Sequence, residues 1–411
     1  MTNFTSRALR HRNFRLYFSG QMVSYTGSWM QQVAMGWLAY KLTSSVLLLG
    51  VIGFAGQIPV LLVSPLGGLL SDRFNRHRLI VITQSLSMLQ AFLLAALALS
   101  GLIQVWHLVV MAVWLGVINA IDVPVRQSFV SLLVKDKEDL ANGILLNSFA
   151  MNSARFLGPA LAGLVMSVAS EGMCFLVNGL SYVVVVAALL KIRTSHQPPR
   201  HKQSFLGGIS DGFRYAAKSP PIRALLGLVA TVSLMLTPYI VLMPYYAKEV
   251  FHGNAQTLSL LMGSSGLGAL AGAIFLVSRK GVMPLSRLVT KAPYLAACAV
   301  MAFSFSQILW LSIPLLTLAG FGVLLTAASS NTLIQTLVHD HYRGRIMSLF
   351  SMAFLGMAPL GSLIGGTLGK HVGVPATLFG GGVLTLVLAT MLVRQLHDLG
   401  EHVQVARDSA G

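Results

Sequence analysis

The sequence predicts an all-α polytopic membrane protein of twelve transmembrane helices in two pseudo-symmetric six-helix bundles, and three observations carry that expectation. Hydrophobic residues are 55% of the chain and charged ones only 10%, against roughly a quarter charged in a soluble domain, and mean hydropathy is +0.73. The apolar residues gather into runs near the ~20 residues that an α-helix needs to cross ~30 Å of hydrocarbon. These runs lack the two-residue alternation of a membrane β-barrel strand.

The runs cover approximately residues 15–40, 46–70, 79–99, 107–133, 141–168, 173–192, 223–247, 256–277, 290–310, 312–338, 346–369 and 375–393. Span 1 follows Arg7, Arg10, Arg12 and Arg15 and lacks a small-residue cleavage site, so it reads as a retained span rather than a signal peptide. It carries Gln31 and Gln32, adjacent residues that cannot face one direction, so one of them is expected to face a cavity. Between spans 2 and 3 the stretch GGLLSDRFNRHRL concentrates Asp72, Arg73, Arg76, His77 and Arg78 in a turn at the membrane surface.

Span 4 holds Asp122, a carboxylate inside a helix body and roughly 13 Å from its inner end. Left unpaired there, it would cost on the order of 3 kcal/mol on insertion scales, so it requires a cation, for which Arg126 and Arg76 are in reach. Span 5 sets Ser148, Asn152, Arg155 and Pro159 at i, i+4, i+7 and i+11 on one face. That face is expected to look into the protein or a wet cavity, with Arg155 about two-thirds of the way across, against either a substrate or neighbouring polar groups. Span 7 contains Pro238-Tyr239 and Pro244-Tyr245-Tyr246, read as kinks with an interfacial aromatic belt. Span 10 repeats the polar-stripe pattern with Asn331, Gln335 and His339.

The net charge of +17 is not a nucleic-acid signal, because its placement is topological. With the N-terminus cytoplasmic, 25 Lys and Arg fall on the inner side and only Lys41, Lys248 and Lys370 on the outer, while Arg155 lies inside a helix. The positive-inside rule then puts both termini in the cytoplasm. Residues 194–222 form the one long polar interval, with Phe205, Ile209 and Phe213 at the spacing of a short surface helix. They divide residues 1–193 from 223–395, with a tail at 396–411. Gly158-Pro-Ala-Leu-Ala-Gly163 recurs as Gly361-Ser-Leu-Ile-Gly-Gly366 at an offset of 203 residues, as a six-helix repeat requires. Cys174 and Cys298 are too far apart along and across the spans to imply a disulfide.

The turn from Gly68 through Asp72, Arg73 and Arg76 resembles the signature of the major facilitator superfamily, with Asn75 where glycine is usual and so expected in a left-handed turn, for which asparagine is the next best residue. A longer stretch from Gly116 is similar to exporters of the enterobactin-exporter type in that superfamily. The agreement includes Asp122, Pro124, Arg126, Gln127, Asn142, Asn147, Arg155, Gly158 and Pro159, and it extends to Arg343-Gly344-Arg345. The resemblance implies the major facilitator fold and a charge relay of Asp72, Arg76 and Asp122, beside Arg73 and Arg126, that latches the inner side. It also implies a helix 5 kink at Gly158 and Pro159.

No phosphate-binding loop, CxxC, HExxH or nucleophile elbow is present, and His339-Asp-His341 lacks further ligands. An enzyme, a cofactor and a bound metal are therefore not expected. The expected function is a monomeric secondary exporter of a small organic molecule, siderophore-like or drug-like, in a bacterial inner membrane. It would work by alternating access with protons as coupling ion. A non-transporting membrane sensor or scaffold that retains the fold is the alternative.

Overall fold

The computed structural model describes residues 7–134, 136–192, 213–278 and 282–396. They form helices α1 (Arg12–Thr43), α2 (Val46–Arg73), α3 (Arg76–Leu99), α4 (Val105–Leu133), α5 (Lys137–Val168) and α6 (Glu171–Leu190). The second half continues with α7 (Pro220–Val250), α8 (Ala255–Ser278), α9 (Val282–Ser304), α10 (Leu309–Leu337), α11 (Tyr342–Val372) and α12 (Val374–Arg394). No strand occurs among the described residues. The surface stretch at 205–213 lies outside them except for Phe213, which is exposed and opens a helical turn over 213–218.

Nine of these helices are long and apolar enough to cross a membrane, among the described residues. The others, α1, α5 and α9, have the length at 32, 32 and 23 residues but are more polar, with the glutamines in α1, Arg155 in α5, and Arg287 and Lys291 in α9. Leu164, Val168, Leu190 and Trp310 stand exposed on helix surfaces, which water would penalise and lipid does not.

Several helix ends follow directly from single residues. Asn75 has φ −63° and ψ 113°, and its side chain accepts from the backbone N–H of His77 at 2.9 Å and Arg78 at 3.2 Å. The left-handed turn expected at Asn75 is therefore corrected. An amide side chain satisfies two of the four unpaired N–H groups that open α3, and this capping needs extended rather than left-handed backbone. Among the described residues, the non-glycine left-handed ones are Ser44, closing α1, and His252, after α7.

Within α7, regular helix stops at Met235 and restarts at Pro238, which has no N–H to continue the ladder, and a π-helical turn follows at Tyr246–Val250. Residues 340–372 form regular helix on either side of a second π-helical turn, Met352–Gly356.

The chain gathers into two compact units. The first comprises Met1–Ser45, Ala55–His201 and Tyr246–Gly263, and the second Val46–Phe54, Lys202–Tyr245 and Ser264–Gly411. In the first, α1 packs against α5 and α6, and α3 against α4 and α6. Its core includes Phe14, Tyr17, Phe129, Tyr182 and Val185, with the Tyr17 and Phe129 rings edge to face at 5.8 Å. In the second, α9 packs against α10 and α12, and Leu225, Leu228, Ile334, Ile346 and Phe350 share a core.

Candidate functional site

Asp122 is 1% exposed in α4, and three side chains meet its carboxylate. The Arg126 guanidinium, one turn further along the same helix, pairs with Oδ2. Thr83 donates to Oδ1 at 2.6 Å and Gln84 at 2.9 Å, both from α3. A carboxylate in this position needs such partners because burial removes hydration worth several kcal/mol. Of the two cations in reach by sequence, Arg126 makes the ion pair. It also donates to Gln21 Oε1 at 3.3 Å and lies 5.0 Å from the centroid of the Tyr25 ring on α1.

A second arginine repeats this arrangement one turn along. Arg155 of α5 is half-buried, and its guanidinium lies 5.0 Å from the centroid of the Trp29 ring. Tyr25 and Trp29 are four residues apart, so one face of α1 offers two aromatic platforms to two arginines from different helices. Close approach makes the second platform possible. A Cβ on Gly158 would stand 2.4 Å from Trp29 Cβ and 3.0 Å from the Thr26 carbonyl, so only glycine lets α5 come this near α1. Tyr25 also reaches Asn147 Oδ1 at 3.4 Å.

Along the remainder of that stripe, Ser148 is exposed, and Asn152 is half-buried with its amide donating to the Ser148 carbonyl at 2.9 Å. Pro159 is buried within α5. On α10, Gln335 is exposed, Asn331 half-buried, and the two amides hydrogen-bond to each other.

The paired glutamines of α1 separate as their adjacency demands. Gln32 is exposed, while Gln31 is 2% exposed. Gln31 donates to Gln90 Oε1 at 3.0 Å and accepts from Asn178 Nδ2 at 2.8 Å, and Gln90 donates onward to the Met111 carbonyl at 3.3 Å. This chain ties α1, α3, α4 and α6 together, so Gln31 is a packing residue of the first unit, whereas Gln32 is exposed.

At the charged turn, Arg73 is exposed and Arg76 half-buried, and Gly68 and Asp72 lie in the last turns of α2. Near the start of α1, His11 Nε2 lies 2.9 Å from Asp139 Oδ2, and Ala8 N–H donates to Asn142 at 3.1 Å. These contacts fasten the turn at Ala8–Arg10 and the start of α1 to α5. Cys174 and Cys298 are both free thiols.

Sequence reasoning found Asp122, Arg126 and Arg155 but not Tyr25, Trp29, Thr83, Gln84, Gln90 or Asn178. The tyrosine and tryptophan were signalled only by four-residue spacing on the helix that holds Gln21 and Gln32.

The geometry can be set beside known proteins. The profile of the transmembrane secretion effector family matches residues 4–409. The staphyloferrin A transporter of Staphylococcus aureus is 24% identical over 380 residues, covering 91% of this chain and 94% of that protein. The multidrug efflux pump Tap of Mycolicibacterium fortuitum is 24% identical over 378 residues, covering 89% and 91%. Macrolide efflux protein A of Streptococcus pyogenes is 21% identical over 393 residues, covering 92% and 96%. Among solved structures, a peptide transporter of the POT type superposes with TM-score 0.73 at 16% identity, covering 95% of both chains. A bacterial homologue of the human lysosomal transporter Spinster superposes at 0.67 and 15%, covering 97% of both. These likenesses carry the fold alone. The chain is a multi-pass membrane protein that belongs to the transmembrane secretion effector family of major facilitator transporters.

Proposed function

We propose that this transporter is a secondary active exporter of a small organic molecule, working by alternating access in a bacterial inner membrane, with protons moving in the opposite direction. The observation that carries the reading is Arg155, a half-buried guanidinium 5.0 Å from the Trp29 ring of α1, in the body of a helix long enough to span a membrane. A guanidinium beside an indole keeps its charge in a partly apolar setting, and its planar set of donors matches a carboxylate, hydroxamate or carbonyl of a solute. Relatives that carry staphyloferrin A, macrolides and multiple drugs support a siderophore-like or drug-like substrate. Ser148, Asn152, Gln32, Asn331 and Gln335 are the further cavity candidates.

Coupling is assigned to Asp122. Protonation there removes the charge that pairs with Arg126 and leaves the guanidinium held by its Gln21 and Tyr25 contacts alone, so a proton biases how firmly α4 is tied at this point. In the same reading, the turn with Gly68, Asp72, Arg73 and Arg76 latches the inner side, and twelve spans form bundles at 1–193 and 223–395 around the 194–222 linker. The tail at 396–411 and both termini are cytoplasmic, and the working unit is a monomer.

The test is a thermal-shift screen of purified protein against siderophores, macrolides and lipophilic drugs. A compound that stabilises the wild type should lose its shift in Arg155→Ala and keep part of it in Arg155→Lys, which retains charge without the planar fork. An undiminished shift in Arg155→Ala would remove this residue from the binding site.

A further inference from the structure

At the opposite end of the first unit from the charged turn, the end of α1, the α5–α6 turn and the start of α8 enclose a cavity of about 380 Å³. Trp37 and Met166 supply apolar wall, Ser170 and Gln256 polar wall, and Lys41 and Glu171 the only opposed charges among the lining residues. The two charges are unequally held. Glu171 is 12% exposed and Lys41 is 58% exposed, with Nζ 3.0 Å from Oε1. The carboxylate is thus part of the wall, while the ammonium reaches it from solvent on a flexible stem. An exposed ion pair of this kind is worth about 1 kcal/mol or less, because the lysine gives up side-chain freedom to make it.

The neighbouring lysine is already used. Lys248 donates to Ser44 Oγ at 3.0 Å and lies 5.4 Å from the centroid of the Tyr40 ring, and Tyr40 donates to Glu249 at 3.2 Å. Lys41 is therefore the internal cation for Glu171, and it is a weakly held one.

From this arrangement we infer a second ligand site, separate from the Arg155 face, that takes an organic amine with an aromatic or aliphatic body. The ligand ammonium displaces Lys41 Nζ from Glu171, and the body lies against Trp37 and Met166. A cavity of this size suits a small molecule with one polar anchor. The exchange of one ammonium for another leaves the mostly buried carboxylate neutralised throughout, while the apolar body adds contact that Lys41 does not make. An anion gains nothing here, since it would have to hold Lys41 away from Glu171 and leave that carboxylate without a cation.

The inference gives two substitutions opposite signs, which a merely structural ion pair does not. The experiment is calorimetric titration of the purified full-length protein with phenethylamine, using phenylacetate and phenylethanol as charge controls. Phenethylamine should bind saturably and the controls should not. Glu171→Gln should weaken the amine by about tenfold, the loss of one charge-assisted hydrogen bond. Lys41→Met should tighten it, because the internal competitor is gone. Absence of saturable amine binding to the wild type, equal binding of phenylethanol, or weaker binding in Lys41→Met would each overturn the site. Should Glu171→Gln fail to fold, the sign of the Lys41→Met change decides alone.

Discussion

At the scale of single residues, the first unit spends its polar side chains in two ways. Gln31, Gln90 and Asn178 are buried and satisfy one another, whereas Arg126 and Arg155 keep their guanidinium groups on the rings of Tyr25 and Trp29. The distinction predicts different consequences for adjacent residues. Gln31→Leu removes two interhelical hydrogen bonds and strands their partners, which should cost about 1 to 2 kcal/mol. Gln32→Leu, on an exposed position, should leave the melting temperature in detergent unchanged. Equal melting temperatures for the two variants would contradict the buried chain. The Asp122–Arg126 pair was legible in the sequence because i, i+4 spacing is a property of one helix. Thr83 and Gln84 were not, since their approach to Asp122 depends on how α3 turns against α4. Asn75 was misjudged because asparagine serves both left-handed turns and helix caps, and only the backbone decides between them.

At the scale of elements, the helices that fall short of a simple hydropathy test are informative. In α1 and α5, polarity that weakens them as isolated membrane spans is the polarity used within the first unit, and their mutual approach rests on Gly158. Adding a methyl there should force the helices apart at a cost of about 1 to 3 kcal/mol. Gly380→Ala, where a Cβ would meet nothing within 4 Å, should be neutral or slightly stabilising. Melting curves of the two alanine variants check this, and a stable Gly158→Ala protein would contradict the close packing of α1 and α5. Breaks before Pro238 were legible from proline chemistry, but the π-helical turns at 246–250 and 352–356 were not, because a shift in hydrogen-bond register leaves no compositional mark.

At the scale of the whole molecule, the proposed topology, which would put 25 basic residues on the inner side and three on the outer, predicts that phosphatase reporters fused in the α3–α4 connection, residues 100–104, are active outside the cytoplasm. Reporters in the α2–α3 turn should be inactive. The opposite pattern would invert the proposed topology and with it the side from which substrate is taken. The family and the helical fold were readable from length, hydropathy and the turn after span 2, while substrate identity was not, since the residues that contact a solute are few and come from several helices. The most direct test of proton-coupled export uses everted membrane vesicles energised to an acid interior, with a substrate found in the thermal-shift screen added outside. Wild-type vesicles should show partial collapse of the pH gradient on adding substrate, and Asp122→Asn vesicles should show none; a collapse in Asp122→Asn equal to that of the wild type would contradict the assignment of Asp122 as the proton carrier.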